Sequence, residues 1–257
     1  MGFPTASAEV PDSTAPPFGA LLAHIAAAGL VAGALSGTWS LLITERAIEP
    51  ALAIEEARSA TGGGDAEEMF SRTTQVLGGL LGAVLAGLVL SLVVAVVFAG
   101  IRHRLPARTD FGRMVLLGAI GFVVLGLLPA LKIPANPPAV GEPGTVGTRT
   151  AIYGAVLASG VVVALLVSAS VSVLRSRGVG IPMTTIAAVM VGAVLVALIL
   201  VLFPHSPDTI PADVPAAVVW DFRLASLGQL AVMWATLGLV GGALVERLTR
   251  RSAPAAG

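Results

Sequence analysis

Six segments of the chain are long and apolar enough to cross a bilayer, and this feature constrains the fold more than any other. A helix needs about 20 apolar residues to cross the hydrocarbon core of a membrane. The candidate segments are residues 18–44, 75–101, 111–131, 151–174, 181–203 and 222–245. Backbone amides in lipid must be bonded within their own segment, so each segment is expected to be a helix. The sequence predicts an all-α, polytopic integral membrane bundle of about six transmembrane helices.

Composition supports this class and excludes several others. Charged residues make up 12% of the 257 residues, about half the share found in soluble domains. The chain contains no cysteine, which excludes a disulfide scaffold, a zinc–cysteine site and a thiol enzyme. Its 15 Lys and Arg balance 15 Asp and Glu, so no nucleic-acid partner is expected. No catalytic or nucleotide-binding motif stands out, and the chain is predicted not to be an enzyme.

A single transmembrane domain, residues 18–246, is expected to lie between two tails. Residues 1–17 hold no Lys or Arg, which argues against a signal peptide, and they are expected to form a mobile N-terminal tail. Residues 247–257 are expected to form a basic cytoplasmic tail. Nine of the 15 Lys and Arg lie in that tail or in the loops after the second and fourth segments. By the positive-inside rule, both termini are predicted to be cytoplasmic.

Acidic residues show the opposite distribution. Eleven of the 15 Asp and Glu lie after the first, third and fifth segments, on the side predicted to face outside. One interpretation is that this face attracts cations by lowering the local potential. The other is that acids collect wherever Lys and Arg are not selected for, and the sequence leaves both open.

One histidine suggests a site that captures a metal ion. His205 follows Pro204 just beyond the fifth segment, and Asp208 lies on the same loop. Imidazole is a good ligand for borderline divalent cations, and carboxylates can complete the coordination shell. The loop is stiffened by its prolines, so we expect the two side chains to stand near the outer mouth of the bundle.

Four further candidate ligands lie in or after the first segment. Glu49, Glu55 and Glu56 follow the segment, and Pro50 is expected to bend or restart the helix, so that residues 51–59 lie along the membrane surface. Full hydration is the simpler interpretation of these three acids. His24 lies within the segment, where a hydrogen bond to a neighbouring helix is favoured over metal ligation.

Small and hydroxylated residues recur at four-residue spacing in three segments. Lipid provides no hydrophobic force between helices, so such stripes let two backbones approach closely. The predicted packing faces are Gly29, Gly33 and Gly37 in segment one, Gly78, Gly82 and Ala86 in segment two, and Gly238, Gly241 and Gly242 in segment six. Ser36, Ser40 and Thr44 extend the first stripe. They are expected either to form hydrogen bonds to a neighbouring helix or to line a hydrated path through the bundle.

Three stretches of the chain resemble one protein family. They are residues 50–56, residues 128–151, which contain Leu-Pro-Ala-Leu-Lys-Ile-Pro-Ala-Asn-Pro-Pro, and residues 211–227, which contain Trp-Asp-Phe-Arg-Leu-Ala-Ser-Leu. Together they are similar to the CbtA family of predicted cobalt transporter subunits, in its actinobacterial form. The two longer stretches each end in a basic residue, Arg149 or Arg223, that enters the next segment. This arrangement suggests a weak two-fold repeat of segments three–four and five–six.

The resemblance implies a multi-pass subunit of the cell inner (plasma) membrane that takes up cobalt for cobalamin synthesis. Cobalt would be the transported substrate, with no permanently bound cofactor. Besides the lipid bilayer, the implied partner is a short, single-span, His-rich subunit of the CbtB type, which would add imidazoles that this chain lacks. The alternative is a non-transporting accessory or assembly subunit of a membrane complex, with a bundle sealed by glycine packing.

Overall fold

The computed structural model describes residues 16–62 and 71–252, and nearly all of these residues are helical. This part of the chain contains no β-strand. Six of its helices are long and apolar enough to cross a membrane. The predicted all-α membrane bundle is therefore confirmed. The tail predicted for residues 1–17 falls almost entirely outside the described residues, as do residues 253–257 of the predicted basic tail.

Eight helices build the described chain, and two π-helical turns join some of them end to end. The helices are α1 (Phe18–Trp39), α2 (Glu45–Gly62), α3 (Arg72–Ile101), α4 (Asp110–Gly121), α5 (Leu128–Lys132), α6 (Val146–Ser176), α7 (Ile181–Leu202) and α8 (Ala216–Ser252). The π-helical turns are Ser40–Thr44, between α1 and α2, and Phe122–Leu127, between α4 and α5. The first and third spans are therefore continuous through these turns.

The first span is longer than its apolar segment. Pro50 does not end the helix but lies inside α2, which continues to Gly62. Tertiary contacts explain why the helix persists beyond the proline: Ala51 is fully buried, and Ile54 packs against a small apolar cluster in the loops that contains Val214. The helix therefore does not end and restart at Pro50, and Ile54 packs its second half against the protein's own loops. That residues 51–59 lie along the membrane surface stays a prediction.

The centre of the bundle is formed by the first and last spans. α1 contacts both α3 and α8 along its length, and α4 packs on the other side of α8. The main apolar cluster lies between these four helices, with Ile25, Phe98, Met114 and Leu237 among its most deeply buried members. α8 extends beyond the predicted range of 222–245 at both ends, since hydropathy marks only the apolar middle of a long helix.

α6 and α7 form a hairpin at the edge of the bundle. Gly178 ends the first helix in a left-handed conformation, with its amide bonded to the Arg175 carbonyl and the Val179 amide bonded to the Leu174 carbonyl. These two bonds form a Schellman motif, which glycine accommodates without strain. The hairpin contacts the rest of the bundle mainly through α5 and the adjoining π-helical turn. Only 6% of the most apolar stretch of α7 is buried in the protein, so lipid covers most of this helix.

The closest approach between helices is at the glycines of α1. A Cβ atom added at Gly33 would stand 2.5 Å from the Ala83 carbonyl oxygen, and one added at Gly87 would stand 2.4 Å from the Gly29 carbonyl oxygen. The packing role predicted for the α1 stripe is confirmed. The stripe predicted for segment two is wrong: Gly78 and Gly82 have no atom within 4 Å of an added Cβ, and Ala86 is exposed. The contact face of α3 is instead Ala83, Gly87 and Ser91, one position further round the helix.

The glycines of α8 form the second close contact. Gly238 and Gly242 lie against the backbone of α4 at Val115 and Phe111. The packing face predicted for segment six is confirmed, and it holds α4 against the outer side of the central helix pair.

Candidate functional site

One end of the bundle is closed by three segments that meet above the spans. We call it the acidic end and define it by α2, the loop 133–145 and the loop 203–215. Two contacts fix its position relative to the bundle: the buried Lys132 ammonium donates to the Leu200 carbonyl at 2.7 Å, joining α5 to the end of α7, and Arg58 of α2 reaches both loops. The acidic residues 65, 67 and 68, which the sequence places at this end, lie outside the described residues.

Asp208 is the anchor of the loop 203–215. Its carboxylate is almost fully buried, with 1% of the side chain exposed. Thr145 donates to one oxygen at 2.5 Å, while Asn136 and Arg149 each donate to the other at 2.9 Å. Burial alone would raise the pKa of this carboxyl, but the Thr145 bond and the Arg149 charge outweigh it and hold the pKa below its ordinary value. The group is therefore an ionised, fully engaged structural carboxylate.

The two long loops hold each other through their terminal arginines. Arg149, which follows the first loop, binds Asp208 of the second loop. Arg223, which follows the second loop, donates to the Asn136 side chain at 3.1 Å and to the Ala135 carbonyl at 3.2 Å in the first loop. Asn136 thus joins both arrangements. The two loops are therefore joined in both directions, and the repeat suggested by the sequence stays a prediction.

The Arg58 side chain of α2 binds both loops. Arg58 donates through Nε and Nη2 to the two oxygens of Asp213, at 2.8 Å and 2.7 Å, and through Nη1 to the Ala139 carbonyl at 2.8 Å. Ala139 has a φ of 65°, a left-handed conformation that residues with a Cβ rarely adopt. Because its carbonyl is held by Arg58, this strained turn is part of the connection between α2 and the first loop.

The predicted metal ligands at this end differ in availability. His205 is exposed on the loop 203–215, and Glu49, Glu55 and Glu56 are exposed on α2. Asp208, the expected partner of His205, directs both oxygens to Thr145, Asn136 and Arg149 instead. Among residues 16–62 and 71–252, no group of three or more His, Cys, Asp or Glu side chains is placed to hold a metal ion.

His24 lies in α1, towards the opposite end of the bundle, and is half-buried. Its Nδ1 is 2.7 Å from the Ala20 carbonyl of the same helix, not from a neighbouring helix as predicted. A carbonyl only accepts hydrogen bonds, so this nitrogen carries the proton. With Nδ1 as the donor, Nε2 is the nitrogen with which a neutral ring could bind a metal ion.

A second polar feature lies inside the bundle, between α1 and α8. The Ser36 hydroxyl donates to the Gln229 carbonyl and the Thr44 hydroxyl to the Gln229 side-chain oxygen, both at 3.4 Å. One turn along α8, the Trp39 indole donates to the Ala225 carbonyl at 2.9 Å. We call Ser36, Thr44 and Gln229 the polar seam. The sequence indicates the hydroxyls by their spacing, but Gln229 is a single polar residue in an apolar segment and its partners are not visible from the sequence.

The other end of the bundle is held by ion pairs around a buried acid. Asp110 is 3% exposed and accepts from Arg113 at 2.8 Å, from Arg102 at 3.2 Å and from Thr249 of α8 at 2.8 Å. Glu246 of α8 pairs with Arg250. These contacts hold the end of α3, α4 and α8 together. Asp110 and Glu246, the acids of this basic end, therefore have structural roles.

Comparison with known families matches most of the chain to one of them. The model of the CbtA family, described as "probable cobalt transporter subunit (CbtA)", matches residues 18–246, a range that contains all six spans apart from the last turns of α8. No curated protein and no solved structure matches the chain.

Proposed function

Because the chain belongs to the CbtA family of probable cobalt transporter subunits, we propose that it is a permease subunit for uptake of a divalent cation, cobalt, linked to cobalamin synthesis. The observation that carries this proposal is the extent of the family match, which covers the whole bundle and both long loops. The protein is a multi-pass membrane protein. We place it in the inner (plasma) membrane with both termini in the cytoplasm, so that the acidic end faces outside.

The charges of the acidic end support cation uptake in this orientation. Several carboxylates there, those of Glu49, Glu55, Glu56 and Asp221, are exposed to solvent. Exposed acids lower the potential above the bundle and raise the local concentration of divalent ions. The basic residues of the same end are largely engaged in holding the loops, as Arg149 and Arg58 are.

His205 is proposed as the first ligand that an incoming ion meets. Its imidazole is exposed, whereas Asp208 is committed to the loop anchor and supports the site by holding the segment that presents His205. Glu55 and Glu56, or Glu49, are proposed to supply carboxylates from α2. His24, with its lone pair on Nε2, is proposed as a ligand on the path beyond the apolar core. A single-span, His-rich partner of the CbtB type would complete these incomplete shells.

Uptake of radioactive cobalt tests the proposal directly. The chain is expressed in a host that lacks its own cobalt transporters, alone and together with the small partner, with empty vector and partner alone as controls. We expect cobalt accumulation that requires this chain. Equal accumulation in cells with and without the chain, at normal abundance in the membrane, would contradict a transport function.

A non-transporting accessory or assembly role is the second candidate. It is favoured by the close apolar packing between α1, α3, α4 and α8. In this case the partner alone, or another subunit, would move the ion, and deletion of this chain would lower the abundance of that subunit. Uptake that persists when the other subunit is restored to its normal level without this chain would identify the accessory role.

A further inference from the structure

We infer that the open groove between the first and last spans, at the acidic end, binds a phospholipid whose headgroup joins a phosphate to a primary ammonium, as in phosphatidylethanolamine. The groove has a volume of about 420 Å³. It is lined by Trp39, Ile43, Arg46, Ala47, Asp221, Leu224 and Ala225. This inference concerns the bilayer as a partner and does not depend on which ion, if any, the protein transports.

The floor of the groove is apolar and held in place. The Trp39 indole donates to the Ala225 carbonyl at 2.9 Å. Its ring lies against Gly228, where an added Cβ would stand 2.5 Å from the Trp39 Cζ2 atom. Ile43 and Leu224 are exposed large apolar side chains on helices that are able to cross the membrane. In a bilayer such side chains meet the hydrocarbon core, so the floor suits an acyl chain.

Two charged side chains stand at the outer rim of this floor. At 1.5 Å per residue, Arg46 lies about 10 Å beyond Trp39 along the first span, and Asp221 lies about 6 Å before Ala225 along α8. Arg46 follows the first apolar segment, and Asp221 directly precedes the sixth. Both charges therefore lie at the level where the hydrocarbon core ends and the lipid headgroups begin.

These two charges have no partner within the described part of the chain. Arg46 and Asp221 are exposed and line the same groove, yet neither forms an ion pair or side-chain hydrogen bond with a described residue. By contrast, Arg58, Arg149 and Arg223 of the same end all bind loop residues. The Arg46 guanidinium can donate to a lipid phosphate, and the Asp221 carboxylate can accept from a primary ammonium. The groove thus matches both charges of one headgroup and the chain below it.

The surrounding charges favour a zwitterionic lipid over an anionic one. Glu49 lies on the next turn beyond Arg46 and is exposed, as are Glu55 and Glu56 further along α2. These carboxylates repel a headgroup with a net negative charge, whereas a zwitterion keeps its attraction to Arg46 and gains one to Asp221. Phosphatidylcholine has no N–H to donate to a carboxylate. We therefore expect phosphatidylethanolamine to bind more tightly than either phosphatidylcholine or phosphatidylglycerol.

A lipid in this groove would join the two spans at the centre of the bundle. Arg46 belongs to α2, the continuation of the first span, and Asp221 belongs to α8. A molecule that binds both in the folded protein, and neither in the unfolded chain, stabilises the fold by mass action. Lipid-free protein should therefore melt at a lower temperature than protein to which phosphatidylethanolamine has been added.

Titration of phosphatidylethanolamine into lipid-free protein in detergent tests the inference. Bound lipid is counted by native mass spectrometry, and the melting temperature is recorded in parallel. Phosphatidylcholine and phosphatidylglycerol are titrated in the same way. We expect saturable binding of phosphatidylethanolamine, with a rise in melting temperature, and weaker binding of the other two lipids.

Two charge variants with matched controls test the headgroup contacts. Arg46→Gln should weaken phosphatidylethanolamine binding by about fivefold, which corresponds to one charge pair at an exposed site. Asp221→Asn should remove the preference for phosphatidylethanolamine over phosphatidylcholine, a change that a loss of folding would not produce. Arg104→Gln and Glu142→Gln make the same chemical changes at exposed residues outside the groove, and should bind phosphatidylethanolamine as wild type does.

Ala47→Phe tests the apolar floor separately. The added ring occupies the groove while Arg46 and Asp221 keep their charges. Lipid binding should fall, and the melting temperature of the lipid-free protein should stay at the wild-type value.

Several results would overturn the inference. These are non-saturable binding, equal affinity for the three lipids, and wild-type lipid preference in both charge variants. A groove that binds no lipid, but in which a cysteine at position 224 becomes protected from labelling when a single-span partner is co-expressed, would belong to a partner helix instead. If a charge variant does not fold, the comparison of the three lipids on wild-type protein still decides the question.

Discussion

Replacement of Gly33 by alanine tests how closely the first two spans are packed. The added Cβ would stand 2.5 Å from the Ala83 carbonyl oxygen and 2.7 Å from the Val84 Cα, whereas ordinary contact begins at 3.4 Å. Both neighbours are backbone atoms that cannot rotate away. To lengthen the distance between the added Cβ and the Ala83 oxygen from 2.5 Å to 3.4 Å, α1 and α3 must separate by about 0.9 Å. This separation also loosens the contact between Gly29 and Gly87.

The expected cost follows from the loss of packing along this contact. Overpacking of a close interface typically costs about 1–3 kcal/mol, and packing is the main force that holds helices together in lipid. At about 2–4 °C per kcal/mol for a domain of this size, Gly33→Ala should lower the melting temperature in detergent by about 5 °C. Gly33→Leu should cost more and reduce the folded yield.

Gly82→Ala is the matched control, because it makes the same chemical change on the same pair of helices. A Cβ at Gly82 meets no atom within 4 Å, so its melting temperature should stay within about 2 °C of wild type. Thermal melting followed by size-exclusion fluorescence measures both variants. The described contact between α1 and α3 is wrong if Gly33→Ala has the same melting temperature as wild type. It is also wrong if Gly82→Ala loses as much stability as Gly33→Ala.

Four further predictions concern the ends of the bundle. The lowered pKa of Asp208 means that its stabilising contribution is full above about pH 4 and is lost as the pH falls further; Asp208→Asn should therefore melt lower than wild type at pH 7, and the difference between the two melting temperatures should shrink as the pH falls below about 4. His205→Ala should leave melting unchanged while cobalt uptake falls, because the exposed imidazole is the proposed first ligand of the incoming ion. Ala139→Gly should raise the melting temperature by a few degrees, because a left-handed conformation costs a residue with a Cβ about 1–2 kcal/mol. In this cysteine-free chain, a cysteine at Asp213 should react with an impermeant label added from outside, and a cysteine at Arg104 should not.

Each of these predictions has a result that would contradict it. A constant difference between wild type and Asp208→Asn from pH 7 to pH 3 would mean that the carboxylate is not the titrating anchor. Full uptake in His205→Ala at normal membrane abundance would leave the loop 203–215 as a structural lid. A lower melting temperature for Ala139→Gly would show that the Ala139 methyl group contributes more than its strained backbone costs. Labelling at position 104 from outside would reverse the orientation.

The membrane spans were predictable from the sequence, because hydropathy depends only on neighbours in sequence. The face of each helix that packs against another helix was not predictable in this way. In α3, residues 78, 82 and 86 and residues 83, 87 and 91 are both four-residue stripes of small side chains. Periodicity cannot decide between them, because the rotation of the helix is set by its contact with α1. Gly29 and Gly33 meet the second stripe, and this contact joins residues that are fifty or more positions apart in sequence.

The role of Asp208 was hidden for the same reason. Its neighbours in sequence, with His205 three positions away, indicate a ligand pair. Its partners in space are Asn136, Thr145 and Arg149, which lie 72, 63 and 59 positions earlier in the chain. Whether a carboxylate on a proline-rich loop binds a metal ion or anchors the loop depends on which distant residues lie beside it. Only the fold brings those residues together.

The central pairing of α1 with α8 has a consequence for how the protein is made. The first span enters the membrane long before α8, one of its two main partners, is synthesised, since α1 ends at Trp39 and α8 begins only at Ala216. Until then the glycine face of α1 can be matched by α3, but the hydroxyls of Ser36 and Thr44 have no Gln229, and the loop 133–145 lacks Arg223. Insertion of the last span therefore completes the interior and the outer closure in one step. A chain that stops before α8 exposes unmatched polar groups within the bilayer, which is the kind of defect that membrane quality control can detect.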